Sequence, residues 1–444
     1  MESKARVLIE QTLDPGSFCE LGAGAIANSN DSNIALSDGV ITGYGTVEGQ
    51  TVYVYSQDAD VLSGSVGTVH AGKIKRLYEM AVKTGAPVIG FLDSAGMRLN
   101  EGSSVLDGFG KILAEISKAS GTVLQIAVVS GNCAGGFPMI PALCDFCFII
   151  KDEGRLFVNS PNALINNDSS KLDNTREEFI LENGLADMAG TEEEVISAVK
   201  KLLSILPANY RDVSDYGGGD DDPNRLCTGI EACRSDPLDY LKMIADDGYV
   251  FETLSGYARD IVTGFMRINE MTVGFTAQYG RDLSPDGAKK TAALIDYCDA
   301  FSIPFITFVN VKGYERTVDA EKDMARAAAS LVQTYAAASI PKITVVTGDS
   351  FGTAFTCMGS RSIGADICFA WNDVKIGAIA GELAARIISD GKQAEEVKNA
   401  ALHYDMSKNS VGAAAANGII DAVIAPEETR KYLAGALDLL STKE

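Results

Sequence analysis

The sequence predicts two tandem α/β domains that arose by internal duplication, each built on a mostly parallel sheet. Three observations support this prediction. A chain of 444 residues is too long for one ordinary hydrophobic core. Residues 71–135 align with residues 288–352 at a constant offset of 217 positions, without a gap. In both copies, apolar strand-like runs alternate with helical patterns, which is typical of parallel sheets.

The repeat is the strongest of these signals, because a fixed offset must hold across a helix and two strands. Thirteen of the 65 aligned positions are identical, about three times the number expected by chance. We therefore expect matching strands at 88–92 and 305–309, and again at 126–129 and 343–346. The identical residues in the first copy are Ala71, Lys73, Leu77, Pro87, Ile89, Phe91, Gly96, Ala119, Ile126, Val128, Val129, Gly131 and Gly135.

The domain boundary is expected in the Gly- and Asp-rich stretch at 215–223. We assign residues 1–215 to the first domain, 216–236 to a linker and 237–444 to the second domain. The second domain offers a clear helix start, with Ser284 as the N-cap and Pro285 at the first helical position.

Composition and charge restrict the function. The formal net charge is -22, and 46% of residues are hydrophobic, so a general binder of nucleic acid or anionic membrane is not expected. No long apolar run or signal peptide is visible, which predicts a cytoplasmic protein without a membrane span.

Cysteine and histidine usage narrows the chemistry further. Cys144 and Cys147 lie in an apolar strand-like run without a second pair at zinc-ribbon spacing, so we expect reduced thiols and no metal site. His70 and His403 are the only histidines, which leaves little scope for histidine catalysis.

A small-residue turn follows the second strand of each copy. In the first copy it contains Gly135 and Gly136, and in the second Gly352 and Thr353. A strand that enters such a turn and then a helix directs free backbone N–H groups outward, where they can hold negative charge. In enolate and acyl-transfer chemistry, such N–H pairs form an oxyanion hole. Tight packing of the helix on the strand is the alternative explanation for each turn taken alone.

These motifs resemble the acyl-CoA carboxyltransferase family, which includes propionyl-CoA carboxylase β and methylmalonyl-CoA decarboxylase α subunits. The resemblance covers roughly residues 15–430 and is more specific in the first half. It implies two crotonase-like (ClpP/crotonase) domains. The motifs that carry it are Gly131-x-Cys133-Ala134-Gly135-Gly136, Pro141-Ala142-Leu143-x-Asp145-Phe146, His70-Ala71-x-Lys73-Ile74, Arg98-x-x-Glu101-Gly102 and Ile303-Pro304-x-Ile306-Thr307-Phe308-Val309.

The resemblance implies a mechanism in which a carboxyl group moves between biotin and an acyl-CoA through a thioester enolate. The N–H groups of Gly135 and Gly136 would stabilise the enolate, and those of Thr353 and Ala354 would polarise the ureido oxygen of biotin. Biotin serves as its own base, so no histidine is needed. The implied substrate-binding residues are Ala134, Gly96, Arg98, Lys73, Arg76 and Phe137, and the implied biotin-binding residues are Gly352, Thr353, Ala354, Phe355 and Thr356.

The resemblance also implies partners. The chain lacks the tetrapeptide to which biotin is attached, and the most similar segment is Leu241-Lys242-Met243. A separate biotin carboxyl carrier protein is therefore expected, together with a biotin carboxylase or a membrane decarboxylase subunit. Assembly from a dimer to a hexamer is implied as well.

The biotin half departs more from the family pattern than the CoA half. The family's Gly-Gly-Ala-Tyr is Gly352-Thr353-Ala354-Phe355 here, the acidic residue that usually follows is Thr356, and the glycine-rich loop is shortened to 313–318. In the CoA half, the family's Ser-Gly-Gly-Ala-Arg is Ser94-Ala95-Gly96-Met97-Arg98.

Four alternatives stay open at this point. The first is the α subunit of a biotin-dependent decarboxylase, and the second is a biotin-free acyl-CoA hydratase or isomerase. The third is a non-catalytic structural paralogue, and the fourth is a serine peptidase of similar fold. The hydratase needs an acidic side chain near Gly135, and none is marked. The peptidase would need Ser–Lys chemistry, for which no pair stands out.

Overall fold

We describe the protein from a computed structural model that covers residues 2–26, 37–212, 221–388 and 393–443. The chain divides into two compact units, residues 1–213 and 214–444. The first unit ends two residues before position 215, where we place the end of the first domain.

Unit 1 is a sheet with helices. Its helices are α1 Lys4–Thr12, α2 Thr68–Thr84, α3 Ser104–Ala119, α4 Met139–Leu143, α5 Glu177–Glu182 and α6 Glu192–Ile205. Its strands are β1 Cys19–Glu20, β2 Val40–Val47, β3 Gln50–Gln57, β4 Val88–Ser94, β5 Gln125–Ala134, β6 Phe146–Ile150, β7 Arg155–Phe157 and β8 Met188–Gly190. Short 3₁₀ turns occupy Leu62–Gly64, Leu99–Glu101 and Pro161–Ala163.

The sheet of unit 1 has the order β1-β2-β3-β4-β5-β6-β8, and β7 pairs with the end of β5. From β3 onward the strands are parallel. The core forms where apolar faces of α2 and α3 pack on the sheet, with Ile74 and Ile112 fully buried beside Val88. Helix α2 ends at Gly85, whose φ of 72° suits the left-handed C-cap.

Unit 2 has the same construction. Its helices are α7 Pro237–Ile244, α8 Pro285–Ala300, α9 Val318–Glu321, α10 Met324–Ala337, α11 Gly352–Cys357, α12 Gly381–Ile388, α13 Ala394–Tyr404, α14 Val411–Ala416 and α15 Thr429–Leu440. Its strands are β9 Val250–Thr253, β10 Ile261–Ile268, β11 Met271–Gln278, β12 Phe305–Val309, β13 Lys342–Val346, β14 Ser350–Phe351, β15 Ile367–Trp371, β16 Ile376–Gly377 and β17 Ala422–Ile424. Shorter turns are the 3₁₀ segments Ile230–Cys233, Asp246–Gly248, Arg361–Ile363 and Pro426–Glu428 and the π-helix Asp405–Asn409.

The two units share strand order and register, which confirms the predicted duplication. The second main sheet runs β9-β10-β11-β12-β13-β15-β17. Val88 pairs with Gln125 in unit 1, and Phe305 pairs with Lys342 in unit 2, each 217 positions later. The helix predicted to start at Ser284 is α8, and the Ser284 hydroxyl accepts the Gly287 N–H.

The duplication extends beyond the segment that the sequence aligned. Asp145 accepts the backbone N–H of Gln125, and Asp366 accepts that of Lys342. Asp187 accepts the N–H of Cys147, and Asp421 accepts that of Cys368. Insertions change the offset in this region, so a constant spacing could not reveal these equivalent strand-end contacts.

The predicted linker is only partly described. Residues 216–220 lie outside the described residues. The described remainder, 221–236, packs within unit 2 and does not form a free connector: Arg225 donates to the carbonyls of Met243 and Ala245, and Arg430 donates to that of Asp222.

The nine cysteines all fall among the described residues and are free thiols. Cys147 is buried and Cys144 is half-buried. In the described ranges, no helix combines the length and apolar character that a bilayer crossing requires.

Candidate functional site

The turn of unit 1 follows β5 and contains Gly135 and Gly136. Gly135 has a φ of 71°, which only glycine adopts readily. Its N–H donates to the Phe157 carbonyl at 3.0 Å. The N–H of Gly136 has no acceptor in the part of the chain that the structure describes. Of the predicted donor pair, this structure therefore leaves only Gly136 available.

Asp93, at the end of β4, forms hydrogen bonds that hold the start of this turn in place. Its Oδ1 accepts the Asn132 N–H at 2.9 Å, and its own N–H donates to Gln57 Oε1 at 3.1 Å. The carboxyl group packs flat against Gly131, where any Cβ would approach it to 2.1 Å. The Asp93 carboxylate thus fixes the start of the turn that carries Gly136.

His70 is a structural residue of the same network. Gln57 Oε1 is occupied by Asp93, so Gln57 Nε2 is the donor to His70 Nε2 at 3.3 Å. His70 Nδ1 therefore carries the proton and donates to the Asp38 carbonyl at 3.2 Å. Burial, with a smaller contribution from the Arg98 charge, lowers the pKa of His70 to about 3. His70 is neutral and buried, and it cannot reach a substrate.

Arg98, predicted to bind substrate, is instead fully engaged. Its guanidinium donates to Asp38 Oδ1 at 2.5 Å, to Glu101 Oε1 at 3.0 Å and to the Ser65 carbonyl at 2.7 Å. Only 5% of its surface is exposed. Because buried donors that already have acceptors bind nothing further, Arg98 holds the loops around β4 together and does not contact a ligand directly.

Lys73, also predicted to bind substrate, has a structural role that unit 2 repeats. Its Nζ donates to the Val40 carbonyl at the start of β2, and burial lowers its pKa. The equivalent Lys290 donates to the Ile261 carbonyl at the start of β10, at 3.2 Å. The shared contact indicates that Lys73 secures a strand end.

Arg76 is the predicted basic residue whose side chain is accessible to a ligand. It is exposed on α2 and lines a cavity of about 310 Å³ together with Leu21, Thr42 and Val69. No carboxylate pairs with it in the described part of the chain.

The other predicted substrate-binding residues lie in or next to the turn of unit 1. Gly96 follows β4, two residues beyond the Ser94 that pairs with Cys133, and has a φ of 106°. Ala134 ends β5 beside Phe157. Phe137 is 2% exposed and packs against Phe109 in a tilted arrangement with ring centroids 4.9 Å apart, so its side chain belongs to the core.

The turn of unit 2 lines a larger cavity of about 760 Å³. Four of the five predicted biotin-binding residues border it, and Ala354 is buried behind them. Gly352 repeats the geometry of Gly135, with a φ of 66°. The N–H groups of Thr353 and Ala354 belong to the first turn of α11, where no helical carbonyl can accept them. The four bordering residues are Gly352, Thr353, Phe355 and Thr356.

Several residues of this cavity were not predicted from the sequence. Strand β16 pairs with β14, which brings Gly377 beside Phe351. Arg361 reaches the cavity and forms an ion pair with Asp421 at 2.9 Å. No constant offset or motif marks these positions, because they lie where the two copies differ in length. The unpredicted wall residues are Ser360, Arg361, Ser362, Ile376, Gly377, Ala378, Gly418 and Ile419.

The strand order, the parallel register and the paired glycine turns define two units of the crotonase-like fold class. The model of the carboxyl transferase domain family matches residues 2–444, and the chain belongs to this family.

Two relatives and one solved structure illustrate the similarity. The putative propionyl-CoA carboxylase beta chain of Bacillus subtilis is 36% identical over 92% of this chain and 84% of its own length. The methylmalonyl-CoA decarboxylase subunit alpha of Veillonella parvula is 32% identical over 99% of this chain and 90% of its own. The transcarboxylase 12S structure, a hexamer with methylmalonyl-coenzyme A bound, matches with a TM-score of 0.92 at 32% identity, covering 99% of this chain and 90% of that one.

Proposed function

We propose that the chain is the carboxyltransferase component of a biotin-dependent acyl-CoA carboxylase. It would move a carboxyl group between biotin on a separate carrier protein and a short acyl-CoA of the acetyl, propionyl or methylmalonyl type. The observation that carries the proposal is the cavity of about 760 Å³ bordered by Gly352, Thr353, Phe355 and Thr356. Family membership over residues 2–444 supports it.

Unit 1 is assigned the acyl-CoA. An enolate oxygen would accept the free N–H of Gly136, and a side chain would obstruct that approach. The second donor, Gly135, is engaged with Phe157, so we propose that this bond opens when the thioester binds. Arg76 in the 310 Å³ cavity would meet a CoA phosphate.

Unit 2 is assigned biotin. The N–H groups of Thr353 and Ala354 would polarise the ureido oxygen, while Ile376, Ile419 and Phe355 supply apolar walls for the ring system. Bound carboxybiotin supplies the carboxyl group, and the protein contributes orientation and hydrogen bonds. A separate carrier protein, a biotin carboxylase partner, homo-oligomeric assembly and a cytoplasmic location complete the proposal.

A decarboxylase α subunit is the second candidate, because the Veillonella relative matches nearly the whole chain. The two candidates share the chemistry of the site and differ in direction and in partner. A biotin carboxylase encoded nearby would favour the first, and a membrane decarboxylase subunit the second.

The test is decarboxylation of malonyl-CoA and methylmalonyl-CoA by the purified protein, with and without free biotin. We expect loss of carbon dioxide that depends on biotin. Binding of the CoA esters without turnover would instead identify a non-catalytic paralogue that retained its CoA half.

A further inference from the structure

One wall of the unit 2 cavity is a short strand that needs support from outside its own sheet. Strand β16 pairs with β14 in a two-stranded sheet that is separate from the main sheet of unit 2, and such isolated pairs are marginally stable. Strand β16 and Ala378 border the cavity, and β14 leads directly into the turn with Gly352 and Thr353. The contacts that hold this wall segment, residues 375–381, therefore also fix the turn.

The π-helix Asp405–Asn409 supplies contacts of this kind. Asp405 Oδ1 accepts the Gly381 N–H at 3.0 Å, and Asp405 Oδ2 accepts Lys375 Nζ at 2.8 Å. Asn409 Nδ2 donates to the Ile379 carbonyl at 2.9 Å. Two side chains of one helical turn thus hold the wall segment at both of its ends and near its middle.

The π-helix also joins these two side chains to each other. They belong to its first and last residues, and Asn409 Nδ2 donates to Asp405 Oδ1 at 2.7 Å. Burial by itself would raise the pKa of Asp405, but the hydrogen bonds from Lys375 and Asn409 outweigh it and lower that pKa below its ordinary value. The carboxylate is therefore ionised at neutral pH. Single π-helical turns are rare and occur frequently at functional sites.

The wall segment has glycines where it meets the π-helix. A Cβ at Gly377 would lie 2.7 Å from Asn409 Cγ, and one at Gly381 would lie 2.5 Å from Asp405 Oδ1, so both side chains pack directly on the wall backbone. Asn409 is 1% exposed, and its Oδ1 has no hydrogen-bond donor among the described residues. A buried acceptor without a donor destabilises a fold, and proteins keep such arrangements mainly at functional sites.

We propose that Asp405 and Asn409 are positioning residues for the biotin group and act through the wall segment. They hold β16 against β14, and β14 carries the turn whose N–H groups, those of Thr353 and Ala354, would polarise the ureido oxygen. The described residues that border the cavity do not include Asp405 or Asn409, so their effect passes through the backbone. The inference rests on the function proposed above and adds positioning to that site.

The test compares Asp405→Asn and Asn409→Ala with the wild type in biotin-dependent decarboxylation of malonyl-CoA and methylmalonyl-CoA. Asparagine at position 405 keeps the size of the side chain and removes the ion pair with Lys375. Alanine at position 409 removes the hydrogen bond to the Ile379 carbonyl. In each variant we expect the KM for biotin to rise about fivefold, with a smaller change in kcat and no change in the KM for the CoA ester.

Asp246→Asn is the matched control, because it removes similar contacts elsewhere in unit 2. Asp246 accepts the N–H groups of Asn269 and Glu270 and forms an ion pair with Arg430 at 2.6 Å. The variant should lower the temperature of thermal unfolding and leave the KM for biotin unchanged. If this KM rises as much as in Asp405→Asn, any loss of stability in unit 2 has that effect, and the inference is wrong.

A double variant tests the contact between the π-helix and the wall. Gly377→Ala should raise the KM for biotin, because its methyl group would push the wall away from Asn409. Asn409→Ala makes room for that methyl group. Gly377→Ala/Asn409→Ala should therefore show a smaller rise than the product of the two single changes. Rises that multiply would mean that the side chain and the wall act independently, which also overturns the inference.

The outcomes distinguish this inference from the proposed function. A wild type that uses biotin, with an unchanged KM for biotin in Asp405→Asn and Asn409→Ala, overturns the inference alone. Equal rises in the KM values for biotin and for the CoA ester do so too, because the effect would then not be confined to unit 2. If the wild type binds biotin without turnover, the dissociation constants for free biotin take the place of KM, with the same expected ratios. A wild type that neither binds nor uses biotin contradicts the proposed function, and this inference with it.

Discussion

At the scale of single residues, the structure separates groups that face a ligand from groups that hold the fold. Within the described residues, Gly136 offers an N–H without an acceptor, and Arg76 offers a guanidinium without a carboxylate partner. Arg98 and Lys73 occupy motif positions yet donate only to protein acceptors. Motif membership is shared by both kinds of residue, so only the contacts of each side chain distinguish them.

Gly136→Val should abolish enolate chemistry and leave the chain folded. A Cβ at Gly136 would meet Met139 and Phe109 at 3.6 Å, an ordinary contact distance. The valine side chain would cover the N–H that faces the thioester oxygen, and loss of such a donor costs about 100-fold or more in kcat. Turnover and thermal unfolding should be measured together.

Gly131→Val is the contrasting variant, because its Cβ would lie 2.1 Å from Asp93 Cγ. It should lower the free energy of unfolding by several kcal/mol, on the order of 3. Normal turnover in Gly136→Val would show that the first oxyanion hole lies elsewhere.

His70 should make the protein less stable in acid. The unfolded chain takes up a proton near pH 6.5, but the folded state does so only near pH 3. The stabilisation is therefore complete above pH 6.5 and is lost as the pH falls toward 3, by up to about 1.4 kcal/mol per pH unit. Denaturant unfolding between pH 7 and 4 measures this effect. The free energy of unfolding should fall less steeply with decreasing pH in His70→Gln than in the wild type.

His403→Gln serves as the control for this series, since His403 is exposed on α13. It should keep the wild-type dependence on pH. If the free energy of unfolding depends equally on pH in wild type and His70→Gln, another group dominates the acid transition.

At the scale of elements, each unit closes its β-strand ends with the same contacts. Gln57 accepts the N–H of Asp93, and Gln278 accepts that of Asn310. Gly131 lies within β5 and Gly348 lies two residues beyond β13, and each is a glycine because the Asp93 or Asn310 side chain fills the space of its Cβ. This arrangement explains the identity of Gly131 and Gly348 in the repeat.

Gly348→Ala should therefore destabilise unit 2. Its Cβ would lie 2.3 Å from Asn310 Cγ, and such overpacking costs about 1–3 kcal/mol. The additional change Asn310→Ala should recover much of the loss, which thermal unfolding of single and double variants would measure.

Gly435→Ala provides the opposite control. It lies inside α15 with open space around its Cβ, and alanine there should raise stability by about 0.5–1 kcal/mol. If Gly348→Ala behaves like Gly435→Ala, the Asn310 contact does not select glycine at position 348.

At the scale of the whole molecule, apolar side chains are left exposed on neighbouring helices of unit 2. Ile387 on α12 is 67% exposed, and Leu402 on α13 is 55% exposed; α12 and α13 pack against each other. Exposed apolar side chains on adjacent elements commonly mark an interface. The homo-oligomeric assembly proposed above would bury these side chains, so we expect a second copy of this chain to cover them.

The wild type should therefore run as a homo-oligomer of the 46.9 kDa chain in light scattering. Ile387→Glu/Leu402→Lys, which leaves the net charge unchanged, should reduce the mass of the assembly. Leu439→Gln, at a 70% exposed residue of α15, should not. A monomeric wild type, or an unchanged mass in the double variant, would contradict this expectation.

The sequence by itself determined the duplication, the parallel strands and the two glycine turns. These features depend on local patterns and constant spacing, which hold for as long as no insertion intervenes: Pro87 and Pro304 precede matching strands, and Gly135 and Gly352 open matching turns. Tertiary structure alone decided which side chains are available to a ligand. Arg98, Lys73 and Phe137 are engaged in ion pairs, a strand-end contact and core packing, whereas Arg361 and Gly377 reach the unit 2 cavity from separate segments. Hydrogen-bond acceptors and burial are set by the folded neighbours of a residue, and the order of the chain does not contain that information directly.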